Sequence, residues 1–70
     1  MTEYAVVIED AGGNYSAYVP DLPGCVATGT TIEEVTTNIR EAITLHIESL
    51  REHGEVVPPA TSRASSVQVA

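Results

Sequence analysis

Three carboxylates, Glu9, Asp10 and Asp21, stand where the sequence predicts strand ends or loops. Two-metal hydrolysis needs several carboxylates that converge on ions about 4 Å apart, usually from strand ends and a facing helix. The centre of the first predicted strand, residues 5–8, reads Ala-Val-Val-Ile and carries no carboxylate. Solvated turn residues account for all three side chains. The sequence therefore predicts no enzyme, no metal site and no cofactor, and a divalent-metal nuclease is the weakest alternative.

Histidine and cysteine offer no better catalytic or metal-binding pattern. His46 and His53 lie seven residues apart, whereas a helical metal pair of the zinc-protease type needs the spacing i, i+4. The single cysteine, Cys25, has no His or Asp partner suggested by the sequence, so we interpret it as a small buried hydrophobe. One cysteine allows no internal disulfide, which favours a reducing cytoplasm as the compartment.

The predicted helix carries acidic residues on the side opposite its apolar stripe. At 3.6 residues per turn, an exposed leucine lies among them, and the set is Glu34, Glu41, Leu45, Glu48 and Glu52. A solvated face is the usual meaning of such a run. The functional alternative is an acidic ridge that steers a basic partner toward the complex, with Leu45 as an apolar anchor.

Two tyrosines lie on opposite faces of the second predicted strand, because strand side chains alternate. Tyrosine is enriched at protein interfaces, yet one of the two is as readily a core residue. We predict that either Tyr15 or Tyr18 anchors a protein partner. The acids at Glu9, Asp10 and Asp21 would then supply charge complementarity.

Composition narrows the class of partner. The 70 residues include three Lys and Arg against ten Asp and Glu, for a formal charge of −7 at pH 7. We expect no direct nucleic-acid binding, since phosphates are recognised by basic surfaces, and a basic protein is the more natural partner. No apolar run reaches the roughly 18 residues of a membrane span, and the N-terminus lacks a signal-peptide pattern. We therefore expect a cytoplasmic protein without membrane contact.

The pattern of apolar residues predicts three strands and one helix. Strands are expected at 4–9, 15–19 and 25–28, with a glycine-containing hairpin loop at 10–14. Thr31 and Glu34 form a capping-box pattern, the 3.6-residue period continues to about residue 53, and Gly54 marks the end. A Pro-rich connection at 57–65 and a last strand at about 66–69 complete the expectation.

These elements predict one α+β domain over residues 1–70, in the order β-β-β-α-β. One helix covers one face of a mainly antiparallel sheet. If the last strand returns parallel beside the first, the crossover should be right-handed. The other face keeps apolar positions drawn from Ala5, Val7, Tyr18 and Val26, and a domain this small buries only about 60% of its unfolded surface. Both features predict an oligomer or a protein partner.

A recognisable block lies between the second strand and the helix. It runs Val19-Pro20-Asp21-Leu22-Pro23-Gly24-Cys25, then Gly29, then Thr31-Ile32-Glu33-Glu34, before a long helix that ends at Gly54. This pattern resembles the HicB family of antitoxins, from Tyr4 to Val69. Thr30 stands where many relatives have Asp, and Val35 where Ala is usual.

The resemblance implies a partial ribonuclease H-like domain that self-associates through its sheet, as a dimer or tetramer. It also implies binding to a small, basic HicA-like toxin that cleaves messenger RNA. Many relatives continue into a DNA-binding module, whereas this chain ends at Ala70, so we expect no operator binding from it. The leading hypothesis is the antitoxin of a type II toxin–antitoxin system. The alternative is a stand-alone oligomeric interaction protein without a toxin.

Overall fold

The computed structural model describes residues 2–70 and contains three strands and one helix. The elements are β1 (Val7–Asp10), β2 (Tyr15–Tyr18), β3 (Val26–Gly29) and α1 (Ile32–Glu52). The strands form one antiparallel sheet in the order β1-β2-β3. This arrangement confirms the predicted α+β class, with one helix packed on an antiparallel sheet.

The β1–β2 hairpin closes where the glycines predicted it. Ala11 donates its N–H to the carbonyl of Asn14 at 2.8 Å, and Gly12 donates to the Asp10 carboxylate at 2.9 Å. Gly12 and Gly13 both have positive φ, at 78° and 112°, a conformation that glycine adopts without steric cost. The resulting register pairs Val7 with Tyr18 and Asp10 with Tyr15.

The first strand begins at Val7 rather than at residue 4, because β2 has no further backbone N–H group that points toward β1. Val19 donates its N–H to the carbonyl of Cys25, on the β3 side, at 3.2 Å. Successive N–H groups of a strand point to opposite neighbours. The next donor toward β1 would be Pro20, which has no N–H. Residues 2–6 therefore lie outside the ladder.

The helix termini are capped by side-chain and backbone hydrogen bonds. The Thr31 hydroxyl accepts the N–H of Glu34 at 3.0 Å, as the capping-box pattern predicted. The return bond goes one residue earlier than in a standard box, since the Glu34 carboxylate accepts the N–H of Thr30 at 2.7 Å. At the other end, Gly54 (φ 69°) donates to Arg51 and Glu55 donates to Leu50, which is a Schellman motif.

The core lies between α1 and one face of the sheet, and its buried members come from β2, the β2–β3 connection and α1. They are Ala17, Val19, Leu22, Cys25, Val35 and Ile39. The helix start sits directly on β3: a Cβ added at Gly29 would lie 2.5 Å from the backbone nitrogen of Val35. Only glycine permits this separation, so Gly29 sets how closely the helix packs on the sheet.

The predicted last strand at about 66–69 is not formed. In residues 55–70, all of which the structure describes, no strand or helix is present, and residues 59–70 are exposed. A strand needs a neighbour for its backbone groups, and these residues have none within the chain. The radius of gyration is 13.3 Å, against about 11 Å for a compact domain of this length. The C-terminal segment thus projects from the domain.

Candidate protein-binding surfaces

The sheet has one face under α1 and one face that the described residues leave open. Cross-strand partners share a face, so the register puts two rows of side chains on the side away from the helix. We call this set the open face: Val7, Glu9, Ser16, Tyr18, Val26 and Thr28. Tyr18 is 42% exposed and Val26 is 65% exposed. Of the apolar positions expected on this face, Tyr18 and Val26 are exposed and Val7 is half-buried, whereas Ala5 precedes the strand.

The two candidate tyrosines are separated by the sheet. Tyr18 lies on the open face, opposite Val7 on one side and Val26 on the other. Tyr15 faces the helix, where it is half-buried and packs against the hydrophobic core. Tyr18 is accordingly the tyrosine available for contact with another protein, and Tyr15 contributes to the fold.

The acidic side of the helix forms a second surface. We call it the acidic stripe, and it consists of the five predicted residues Glu34, Glu41, Leu45, Glu48 and Glu52, all of them exposed. Leu45 is 65% exposed among carboxylates. The stripe faces away from the sheet, because the opposite side of α1 carries the buried Val35 and Ile39. It is therefore on the other side of the molecule from the open face.

Some of the predicted acids are already engaged within the chain. Glu34 caps the helix and Asp10 holds the hairpin turn, as described above. Asp21 accepts hydrogen bonds from the backbone N–H and hydroxyl of both Thr61 and Ser62, at 2.7 to 3.1 Å. The bonds from Ser62, supported by those from Thr61, outweigh desolvation and hold the pKa of the Asp21 carboxyl below its ordinary value.

A groove next to the start of β1 was not predicted from the sequence. It occupies about 950 Å³ between residues 2–6 and the helix. We call it the edge groove, and its apolar wall consists of Tyr4, Val6, Ile39, Ile43 and Ile47. The Tyr4 hydroxyl donates to the carbonyl of Pro58 at 2.6 Å. The sequence contains no signal for the groove, because it exists only where residues 2–6 leave the ladder.

Residues 2–70 contain no candidate metal centre and no membrane-spanning helix. Within that range no group of three or more His, Cys, Asp or Glu side chains is placed to hold a metal ion. The one helix there is not long and apolar enough to cross a membrane. Cys25 is buried in the core, and desolvation raises the pKa of its thiol.

The geometry thus divides the predicted site residues among different parts of the molecule. Glu9 and Tyr18 share the open face, whereas Glu41, Leu45, Glu48 and Glu52 share the acidic stripe. No described site unites all of them. What the two surfaces have in common is exposure, apolar side chains and negative charge, which suits contact with proteins.

Comparisons with solved structures match this domain to antitoxin chains. One is a chain of a HicA3 and HicB3 toxin–antitoxin complex, with a TM-score of 0.74, 32% identity, and coverage of 84% of this chain and 70% of that one. Another is the N-terminal domain of the Burkholderia pseudomallei antitoxin HicB, with a TM-score of 0.72, 41% identity, and coverage of 83% and 69%.

Sequence comparisons agree. A UPF0150 protein of Thermoplasma acidophilum is 47% identical over 57 residues, which cover 80% of this chain and 83% of that protein. A 14.9 kDa protein of Haemophilus phage HP1 is 42% identical over 55 residues, 79% of this chain but 41% of the phage protein. Residues 4–69 match the family described as the HicB-like antitoxin of bacterial toxin–antitoxin systems. This chain therefore belongs to the HicB-like antitoxin family.

Proposed function

We propose that this protein is the antitoxin of a type II toxin–antitoxin pair, and that it binds and neutralises a small, basic, HicA-like toxin that cleaves messenger RNA. The observation that carries the proposal is the likeness, at 32% identity and a TM-score of 0.74, to a chain of a solved HicA3–HicB3 complex. The proposal assigns no catalytic step to this chain, which acts by covering the toxin.

The acidic stripe is the surface we propose for the toxin. It concentrates four carboxylates around one exposed leucine on a rigid helix, in a chain with a net charge of −7. Such a surface steers a basic protein into encounter and raises the association rate, most strongly at low salt. Leu45 adds an apolar centre of the kind that carries binding energy once the complex excludes water.

The open face is the surface we propose for contact between copies of this chain, in a dimer or tetramer. Apart from Glu9 it carries no formal charge, so two such faces would not repel each other strongly. A 70-residue domain with a small core gains stability from burying this face. Because self-association uses the open face, the acidic stripe remains accessible to the toxin in the dimer or tetramer.

Co-expression with a small basic open reading frame from the neighbouring gene tests the proposal. We expect a stable complex on purification, and we expect the toxin's cleavage of messenger RNA to stop at a stoichiometric amount of this chain. Absence of any basic partner, in the genome neighbourhood and on purification, would instead favour the stand-alone oligomeric protein.

The toxin surface can be tested separately with the purified complex. The variant Glu41→Gln/Glu52→Gln should slow association about tenfold at low salt and much less at high salt, because exposed charges act mainly on the encounter and are screened. The matched control is Glu55→Gln, an exposed acid beyond the helix end. Equal rates for both variants would remove the acidic stripe from the proposal while leaving the antitoxin role in place.

A further inference from the structure

The outer edge of β1 and the C-terminal segment both lack a strand partner among the described residues. β1 is at one end of the sheet, and its outer side has no strand partner among the described residues. An unpaired strand edge is a template for another strand. Beside it lies the edge groove, with an apolar wall that includes Val6, Ile43 and Ile47. No β1 residue lines the groove, but a strand laid along β1 and continued past residues 2–6 would cover that wall.

The C-terminal arm, defined as residues 63–70, has the composition of such a strand. Val67 and Val69 are separated by Gln68, so in an extended backbone both valines point to the same side. They are 80% and 84% exposed. The arm carries no acidic side chain and has a single charged residue, Arg63. Moving these two valines from water onto an apolar surface would be favourable.

The last hydrogen bonds before the arm join the chain to the β2–β3 connection rather than to β1. Pro58 lies against Tyr4, which is itself part of the groove wall. Three residues later the chain is bound to Asp21, in the connection between β2 and β3. A return to its own β1 would require a reversal within residues 63–66. That stretch is Arg-Ala-Ser-Ser; it lacks glycine, proline, asparagine and aspartate, and serine favours tight turns only weakly.

We propose that the C-terminal arm docks in the edge groove of a second copy of this chain, where it adds a strand to β1. The exchange is reciprocal, so that each copy donates its arm and receives the other, as a two-fold dimer requires. The open face is then left for contact between two such dimers in a tetramer. Val67 and Val69 cover the apolar wall at Ile43 and Ile47. The arm's backbone supplies the hydrogen-bonding groups that the outer side of β1 lacks. The strand expected from the sequence at about 66–69 is thus formed between copies rather than within one.

Isotope-filtered NMR on the purified full-length chain, without toxin, tests this placement directly. Uniformly labelled and unlabelled chains are mixed, unfolded together and refolded, so that mixed dimers form. We expect contacts between the methyl groups of Val67 or Val69 and those of Ile43 or Ile47, seen across the labelled–unlabelled pair. Contacts found only within one labelled chain, or a monomer in solution, would overturn the proposal.

A pair of variants provides a second, independent measurement. Val67→Asp/Val69→Asp should raise the dimer dissociation constant at least about a hundredfold, because it places two charges against an apolar wall. These side chains are exposed in the single chain, so the domain should still fold, which circular dichroism checks. The matched control Val56→Asp alters an equally exposed valine (86%) outside the arm and should leave the dissociation constant unchanged.

The same measurement of the dimer dissociation constant shows whether the copies meet through the arm or through the open face. If Tyr18→Ser abolishes self-association while Val67→Asp/Val69→Asp has no effect, the copies meet through the open face and the arm exchange is wrong. Toxin neutralisation is measured apart from these assays. A chain that neutralises the toxin as a monomer would refute the exchange alone, whereas a dimer with exchanged arms and no basic partner would refute the antitoxin role alone.

Discussion

The Asp21 carboxylate binds Ser62 at two points, 41 positions further along the chain. It accepts the Ser62 backbone N–H at 2.8 Å and the Ser62 hydroxyl at 2.7 Å. Two similar bonds come from Thr61. Asp21 was predicted from the sequence to bind a partner. In the structure both of its carboxylate oxygens instead accept hydrogen bonds from the residues that precede the C-terminal arm. Its contribution to assembly is to set the direction in which the arm leaves the domain.

Replacing this acid should release the arm without unfolding the domain. In Asp21→Asn one acceptor oxygen becomes an amide donor, so the four hydrogen bonds from Thr61 and Ser62 cannot all form, and those that remain are weaker because their acceptor is no longer charged. We expect the amide hydrogens of both residues to exchange with solvent much faster, with the core amides unchanged. Hydrogen exchange followed by NMR measures this. Asp10→Asn is the control, since that carboxylate acts within the β1–β2 turn; unchanged exchange at Thr61 and Ser62 in Asp21→Asn would contradict the prediction.

The attachment of the arm should depend on pH in one direction. The pKa of Asp21 is lowered in the folded chain, chiefly by the bonds from Ser62, so the ionised form is the one that folding stabilises. Its contribution is fully present above the ordinary aspartate pKa of about 3.9 and is lost as the pH falls through the lowered value. An NMR titration of the Asp21 carboxyl carbon, followed together with the Thr61 and Ser62 amides, should give one shared midpoint below 3.9. Amides that titrate identically in Asp21→Asn would refute the assignment.

Gly29 should tolerate no side chain. A Cβ there would lie 2.5 Å from the nitrogen and 2.8 Å from the Cα of Val35, and both atoms belong to helix backbone that cannot rotate away. Gly29→Ala should lower the free energy of unfolding by about 2 kcal/mol or more, as overpacking of a tight contact does. Urea denaturation measures the change. Thr28→Ala, one residue earlier on the open face, should cost less than about 1 kcal/mol; equal losses would mean that the helix moves to accommodate the methyl group.

The thiol of Cys25 should react only when the domain opens. The side chain is buried in the core, and desolvation raises its pKa, so little of the reactive thiolate is present at neutral pH. We expect labelling by a thiol reagent to be slow in buffer and fast in denaturant. The variant Leu45→Cys adds a thiol at an exposed site and should show one fast and one slow reaction. A rapid reaction of the unaltered chain would place Cys25 at the surface.

Much of the fold could be read from local patterns. The hairpin at Gly12-Gly13, the helix start at Thr31 and its end at Gly54 depend on a few neighbouring residues with strong backbone preferences, and all three were found where predicted. The faces of the strands followed from alternation. The start of β1 was misplaced because it depends on Pro20 in the partner strand, which lies more than ten residues away and matters only once the register is known.

For the candidate surfaces, residue type and periodicity were informative but incomplete. Helical spacing grouped Glu41, Leu45 and Glu48 correctly, since the positions on one helix are fixed by its 3.6-residue turn. Periodicity could not choose between Tyr15 and Tyr18, because it shows that the two residues face opposite ways but not which face the helix covers. The structure leaves Tyr18 exposed and packs Tyr15 against the core.

The sequence alone determined the charge of this protein, the order of its strands and helix, and the family pattern that links Pro20-Asp21-Leu22-Pro23-Gly24 to a capped helix. These properties are local or additive along the chain. Only the tertiary structure decided which sheet face stays open, that Asp21 binds Thr61 and Ser62, and that residues 66–69 have no strand partner within the chain. Each of these depends on contacts between residues far apart in sequence, and such contacts arise only from the packing of the whole domain.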